Sequence, residues 1–149
     1  MGHLDRLPSQ RATLIGAMLP GNKVVGTETT AWIDMSKVFW IQAVIAIGAM
    51  AAGSTVDVKL EQAKDGAGTD AKDISGKSLA QLLQANADDN SAHIINCTSE
   101  QLDANEKYTH LRVSVTVGTD AADAGVLVFG HDGRYQPLQP ISLVGQEVA

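Results

Sequence analysis

The residues best suited to metal binding or nucleophilic catalysis are four histidines and one cysteine: His3, His93, His110, His131 and Cys97. A zinc site needs three or four nitrogen, sulfur or oxygen donors around one ion, whereas no histidine stands at a ligand spacing to another and Cys97 is the only thiol. A cysteine nucleophile needs a positioned base and a lowered pKa, whereas Cys97 ends an apolar-leaning stretch typical of a strand. We therefore expect no metal site and interpret Cys97 as a small buried residue.

Acidic residues cluster in a glycine-rich loop at Asp65, Asp70 and Asp73. Hard cations such as Ca²⁺ take several oxygen ligands from such loops. The spacing differs, however, from the Asp-x-Asp/Asn-x-Asp/Asn-Gly pattern of a calcium-binding loop. A solvated loop is the main interpretation, and a cation site is the alternative.

Motifs for nucleotide binding and for hydrolysis are missing from the sequence. Gly66-Ala67-Gly68 lacks the Lys-Ser/Thr that completes a phosphate-binding loop. The nucleophile pattern Gly-x-Ser-x-Gly does not occur, and Asp88 and Asp89 lie in a polar stretch typical of solvated carboxylates. The sequence therefore predicts a protein that is not an enzyme, with no catalytic residues and no cofactor.

Aromatic residues are scarce, with two Trp, two Tyr and two Phe in 149 residues. Trp32 and Trp40 are the largest side chains, and packing in the core is the main interpretation because aromatic burial contributes strongly to stability. An interface or sugar-stacking role is the alternative. Sugar binding would require Trp32, Trp40 or Tyr135 to be exposed in a groove, and six aromatic residues are fewer than such a site usually needs.

The elements that must position these residues are strands. Residues 54–62 and 108–117 alternate apolar and polar side chains, which is the pattern of half-buried antiparallel strands. Residues 38–49 are apolar on both sides apart from Gln42, which predicts a central strand covered on both faces. Short strands separated by turn residues favour an all-β, mainly antiparallel fold, a β-sandwich or a jelly-roll-like domain with at most one or two short helices.

Two segments are assigned differently. Residues 1–22 show no clear period and are interpreted as an N-terminal arm, lying along its own domain or a neighbouring subunit; residues 23–149 form a single β-sandwich domain. Residues 78–86 are the best helix candidate, because Leu79, Leu82 and Leu83 follow helical spacing and Ser78 can cap the start. A short strand over the same residues is the rival interpretation.

Charge and composition restrict the partners. The formal net charge is −6 and the pI about 5.0, and the basic residues are scattered, so nucleic acid, which is bound mainly through Lys and Arg on phosphates, is not an expected partner. The longest apolar run falls short of the roughly 20 residues that a bilayer requires, so we expect no membrane association. A single cysteine excludes an internal disulfide, as suits assembly inside a cell.

Four stretches resemble small virion proteins encoded by tailed bacteriophages. They are residues 32–37 (Trp-Ile-Asp-Met-Ser-Lys), 56–65, 68–77 and 100–118. The likeness covers residues 28–135 and is to capsid-associated structural proteins of siphophages, of the cement or decoration kind. These motifs have no catalytic meaning, so no site residues carry over. The stretch His131-Asp132-Gly133-Arg134-Tyr135 departs from a shorter Asp-x-Arg-Tyr in the proteins it resembles.

The resemblance implies a capsid cement protein on the exterior of the virion, made in the host cytoplasm. Its partners would be the major capsid protein, whose subunits it would bridge to stabilise the icosahedral head, and neighbouring copies of itself as a homo-oligomer. Residues 1–22 and the loops within residues 64–77 are the expected contact regions. Two alternatives stay open: a neck or tail component of the virion, and a carbohydrate-binding module on its surface.

Overall fold

The computed structural model describes residues 7–134, 138–142 and 144–146. In chain order the helix and strands are α1 (Pro8–Arg11), β1 (Ala12–Lys23), β2 (Gly26–Thr29), β3 (Ile33–Asp34), β4 (Val38–Met50), β5 (Thr55–Ala63), β6 (Lys72–Ser78), β7 (Leu82–Leu83), β8 (Ser91–Thr98), β9 (His110–Gly118) and β10 (Ala122–Gly133). Short 3₁₀ turns occupy Gln84–Asn86, Ser99–Gln101 and Ala104–Glu106.

The strands form two antiparallel sheets. Sheet A has the order β1-β10-β4-β8, and sheet B has the order β2-β9-β5-β6, with β3 also pairing β9 and β7 also pairing β5. If β2 with β3, and β6 with β7, are each counted as one interrupted strand, every connection except that from β5 to β6 passes from one sheet to the other. Eight antiparallel strands in this order form a double-sheet jelly roll. The predicted all-β, sandwich or jelly-roll-like fold is confirmed.

The core between the sheets is aliphatic, as the scarcity of aromatic residues dictates. Sheet B contributes the inward residues of its two central strands, Val56, Val58 and Leu60 from β5 and Leu111, Val113, Val115 and Val117 from β9, all almost fully buried. Sheet A contributes Ile41, Ala43, Ile45 and Ile47 from β4 and Val126 and Val128 from β10. The apolar residues of the period-2 alternation therefore point into the core, and the polar residues between them point to the surface.

The helix predicted for residues 78–86 is wrong. β6 ends at Ser78, β7 pairs Leu82 with Val56 and Leu83 with Thr55, and a single 3₁₀ turn follows at Gln84–Asn86. The backbone N–H of Leu79 donates to the carbonyl of Val58 at 2.9 Å. The edge of β5 thus offers this segment hydrogen bonds, which an isolated helix of about two turns cannot outweigh. The rival strand interpretation holds for Leu82 and Leu83.

Most of residues 7–22 belong to the β-sandwich. β1 runs from Ala12 through Lys23 and pairs with β10, so this segment lies along its own domain, one of the two positions expected for it. Thr13 and Met18 are buried. A Cβ placed on Gly16 would lie 2.8 Å from Ile33 Cδ1 and 3.2 Å from Val128 Cβ, so the backbone of β1 packs closely onto the core here.

β4 is central, as predicted, but only one of its faces is covered. It lies between β10 and β8 in sheet A. Its inward residues are buried, whereas Trp40 and Ala46 on the outward face are exposed and Val44 is half-buried. The prediction that both faces are covered is wrong for the chain by itself, because no further layer of the described chain lies over these outward residues.

We expect removal of residues 1–22 to abolish stable folding, because it deletes nearly all of β1 and leaves β10 without a partner on one side. Loss of the buried Met18 side chain alone costs about 2–5 kcal/mol, a large part of a typical domain stability of about 5–15 kcal/mol. A chain beginning at residue 12 keeps β1 and serves as the control. Thermal unfolding followed by circular dichroism compares the two; a cooperative transition near that of the full protein in the chain that lacks residues 1–22 would contradict this role of β1.

Candidate interaction surface

The histidines and the cysteine do not converge. His93 lies in β8, His110 in β9 and His131 in β10, while His3 lies outside the described residues. Among the described residues, no group of three or more His, Cys, Asp or Glu side chains could hold a metal ion.

Cys97 is fully buried on the inward side of β8, opposite Ile41 of β4. Burial raises the pKa of its thiol from 9.0 to about 11. Because the thiolate is the reactive form, this environment suppresses nucleophilic chemistry, in agreement with the interpretation of Cys97 as a core residue.

The acidic loop between β5 and β6 is held by its own hydrogen bonds. The Asp65 carboxylate accepts from the backbone N–H of Ala67 at 2.9 Å, the N–H of Thr69 at 3.1 Å and the Thr69 hydroxyl at 2.6 Å, and these Thr69 bonds hold the pKa of Asp65 below its usual value. Asp70 pairs with Lys64, and Asp73 with Lys59, each at 2.7 Å. The carboxylates that a cation would need are thus engaged with the chain itself.

The two tryptophans have different environments. The Arg112 guanidinium lies 4.4 Å from the centre of the Trp32 ring, and a Cβ on Gly68, whose φ is +86°, would lie 2.8 Å from the indole nitrogen. Trp32 is half-buried and packs under the acidic loop on the outward side of sheet B, so the interpretation of Trp32 as a residue of the core between the sheets is wrong. Trp40, by contrast, is 48% exposed on the outward face of β4. Tyr135 lies outside the described residues.

The outward face of sheet B is charged and ion-paired. Glu61 of β5 accepts from Arg112 Nε of β9 at 2.7 Å and lies 3.5 Å from Lys59 Nζ. Lys59 also pairs with Asp73 of β6, and that hydrogen bond raises the pKa of Lys59. The face is thus an ionic lattice that favours contact with water.

The outward face of sheet A has the opposite character. Its positions follow from the strand register as Ala12, Leu14 and Ala17 on β1; Gly125, Leu127, Phe129 and His131 on β10; Trp40, Gln42, Val44 and Ala46 on β4; and Ala92, Ile94, Asn96 and Thr98 on β8. None of these residues is Asp, Glu, Lys or Arg; the carboxylate of Asp123 borders them on the same side of β10, where it packs over Gly48 of β4. We call this the uncharged face.

The centre of the uncharged face is a row of aliphatic side chains that crosses all four strands. Ala17 pairs with Leu127, Leu127 with Val44, and Val44 with Ile94. Leu127 is 44% and Ile94 54% exposed. Contiguous apolar patches larger than a few hundred Å² are uncommon on soluble monomers, and the largest patch is often functional.

Further exposed aliphatic residues lie along β1 beyond this row and in the connection to β2, which begins roughly 20 Å from Ala17 along the strand. Leu19 lies beside the row on β1, and Val24, 76% exposed, and Val25 form the connection from β1 to β2. We call the row together with Leu19, Val24 and Val25 the apolar half of the surface. Sequence reasoning did not find it, although the apolar outward residues of β4 were a signal that could have done so.

None of the helices in the described part of the chain is long and apolar enough to cross a membrane.

Comparisons with known proteins give little beyond the geometry. No protein-family model matches the chain, and no curated protein matches it. Two solved structures that match are of infectious bursal disease virus. The Gt strain structure has a TM-score of 0.44 and 12% identity over 92% of this chain and 38% of its own. The Gx strain structure has a TM-score of 0.38 and 14% identity over 83% of this chain and 32% of its own.

This chain therefore spans less than two fifths of either matched chain. Both matches are to structures of a virus, but TM-scores below 0.5 carry no argument about fold or function. The fold assigned above depends on the strand order alone.

We expect the Cys97 thiol to react with a disulfide reagent such as dithionitrobenzoate very slowly in the folded protein. A pKa of about 11 instead of 9.0 leaves about 100-fold less thiolate at about pH 8, and burial slows the reaction further. Absorbance of the released thiol measures the rate, and the same chain unfolded in guanidinium chloride is the control. Equal rates in the two states would show that Cys97 is accessible and would contradict its place in the core.

Proposed function

We propose that this protein is a virion structural protein, a cement or decoration protein of a tailed phage that adheres to the outside of the head. The observation that supports it best is the contrast between the two outward faces of the jelly roll. Sheet B presents ion pairs to water, whereas sheet A presents a face without a formal charge and with exposed aliphatic side chains. A module with such a contrast is suited to lie on a surface with one side down.

The occupant that we propose for the apolar half is the major capsid protein. Sheet strands lie about 4.8 Å apart and rise about 3.4 Å per residue, so the uncharged face projects roughly 400 Å². Two copies joined by this face would bury about half of the roughly 800 Å² per partner that a standard interface needs. A shell subunit can in addition contact the protruding connection at Val24 and Val25, which extends the contact beyond the sheet.

The mechanism is mechanical. Packed DNA presses outward on a head, and a rigid clamp that touches two shell subunits raises the free energy needed to separate them. Each copy contributes a modest contact, and copies that also touch each other gain through multivalency.

The contact regions expected from the sequence need revision. β1 supplies Ala17 and Leu19 to the apolar half, so part of residues 1–22 stays in the proposal, although as an edge strand and not as a free arm. The loop within residues 64–77 is attached to sheet B and satisfied by internal bonds, so we do not place the shell contact there.

A neck or tail component would use the same surface but occur in far fewer copies. Densitometry of purified particles separates the two: we expect a copy number comparable to that of the major capsid protein. A ratio of a few copies per particle would favour the neck or tail and would contradict the cement proposal.

We expect Leu127→Asp and Ile94→Asp each to weaken binding to heads that lack this protein by about 30-fold or more. Burying a carboxylate without a partner costs roughly 2 kcal/mol or more, and each 1.4 kcal/mol is about tenfold in affinity. Both residues are exposed in the free chain, so thermal stability should stay near that of the parent. Co-sedimentation with heads measures occupancy.

Ser75→Asp is the matched control, because it adds the same charge at an exposed position of β6 in sheet B. It should bind heads as the parent does. Full occupancy by both sheet A variants, or an equal loss with Ser75→Asp, would remove the apolar half from the proposed function.

A further inference from the structure

A small cavity opens at the other end of the uncharged face, away from Val24 and Val25. It has a volume of about 420 Å³ and is lined by Trp40, Ile41 and Gln42 of β4, Asn96 of β8, and His131 and Asp132 of β10. The strand register explains why these residues meet: Trp40 pairs directly with His131, and Gln42 pairs with Asn96. We call it the Trp40 notch. Its size lies at the lower end of the range for small-molecule sites.

The polar side chains of the notch are not used by the protein. Within the part of the chain that the structure describes, the side chains of Gln42, Asn96, His131 and Asp132 have no hydrogen-bond partner, and neither does the indole N–H of Trp40. Other exposed side chains vary in this respect: Asp103 pairs with Lys72, whereas no side-chain hydrogen bond or ion pair is formed by Asn105 or Lys107 among the described residues. The notch therefore offers donors and acceptors on one wall and an exposed ring on the other.

We propose that the Trp40 notch binds a neutral hexopyranoside, the ring of a glycan. The C–H face of a pyranose is apolar and packs on an exposed indole, as aromatic side chains with one wet side allow. Its hydroxyls each donate and accept, and they match the amides of Gln42 and Asn96, which do both, and the Asp132 carboxylate, which accepts.

Charge narrows the ligand class. Asp132 lies at the rim of the notch, no Lys or Arg lines it, and the chain carries a net charge of −6. An acidic sugar or a phosphate would meet the Asp132 carboxylate, and the Lys77 ammonium beside Asn96 is already bonded to the Asn96 backbone carbonyl at 2.8 Å. A sugar without a formal charge fits this wall best.

The backbone at Asp132 has a positive φ, as it has at five other described residues that are not glycine: Asp70, Ala87, Asn90, Lys107 and Thr119. The φ of Asp132 is +50°, a left-handed conformation that Asp adopts more readily than most residues but that is still uncommon. Here the turn sets Asp132 beside Trp40 at the end of β10.

The notch lies on the same uncharged face as the proposed shell contact, but its residues lie outside the apolar half. The aliphatic row passes through Val44, four residues from Trp40 along β4, which is about 14 Å in an extended strand. Occupation of the apolar half and of the notch can therefore be tested separately, and failure of one does not imply failure of the other.

The test is a titration followed in ¹H–¹⁵N spectra with methyl β-glucoside, methyl β-galactoside and methyl β-N-acetylglucosaminide as probes. The chain has two tryptophans and hence two indole N–H signals, of which Trp32 serves as an internal reference because it is packed by Arg112. We expect a saturable shift of the Trp40 signal with at least one probe, at a dissociation constant of about 1–10 mM, typical of a weak single-ring contact.

Variants define which groups bind. Trp40→Ala should abolish the saturable shifts of the Gln42 and Asn96 side-chain amides, and Asn96→Ala should weaken binding about 3- to 10-fold, the worth of one hydrogen bond. Ile94→Ala in the apolar half is the matched control and should bind sugar like the parent, while Trp40→Ala should keep its occupancy on heads. Because Trp40 is exposed, its replacement should leave the fold intact. Unchanged positions of the other signals in the ¹H–¹⁵N spectrum verify this.

The proposal is overturned if none of the three probes shifts the Trp40 signal saturably, if Trp40→Ala retains the amide shifts, or if the Trp32 signal responds in place of the Trp40 signal.

Discussion

The inward side of β4 is the constraint on which the rest of the structure depends. β4 pairs with β10 on one side and β8 on the other, and its residues Ile41, Ala43, Ile45 and Ile47 close the core against sheet B. Because successive side chains of a strand point to opposite sides, this fixes Trp40, Val44 and Ala46 on the outside. With aromatic residues scarce, the core is filled by aliphatic ladders, and β4 carries more apolar residues than one face can bury. The uncharged face is the consequence of that surplus.

The segregation of charge completes this arrangement. Exposed ion pairs such as Lys59 with Asp73 contribute little to stability. The main physical effect of the ion pairs on sheet B is therefore to disfavour association through that face. A charged, hydrated face resists association and keeps the chain soluble, although sheet A exposes Leu127 and Ile94. Under the proposed function, the apolar half of sheet A contacts a shell subunit while sheet B faces water.

Local patterns in the sequence were sufficient for the strands and insufficient for what covers them. The alternation around Val58 and Val113 predicts half-buried strands because period 2 depends only on neighbouring residues. Whether Val44 is covered depends on elements distant along the chain or on another molecule, so the coverage of β4 was predicted wrongly. The leucines at 79, 82 and 83 fit a helix by spacing, but pairing with β5 decided their structure. The candidate sites were harder still to predict, because they form only once the strands are paired. Trp32 and Trp40 look equivalent in the sequence. In the structure Gly68 and Arg112 pack against Trp32, whereas Trp40 stays exposed.

The apolar half and the Trp40 notch both lie on sheet A, so their relative orientation is fixed by the sheet. The register of β4 with β10 and β8 is continuous from Trp40 to Ala46, so no hinge separates the aliphatic row from the notch. Docking of the apolar half would therefore fix the direction in which the notch opens relative to the shell. A rigid sheet that adheres by one end and leaves the other accessible would hold each copy of the notch in the same orientation, so weak single-ring contacts would act together through multivalency.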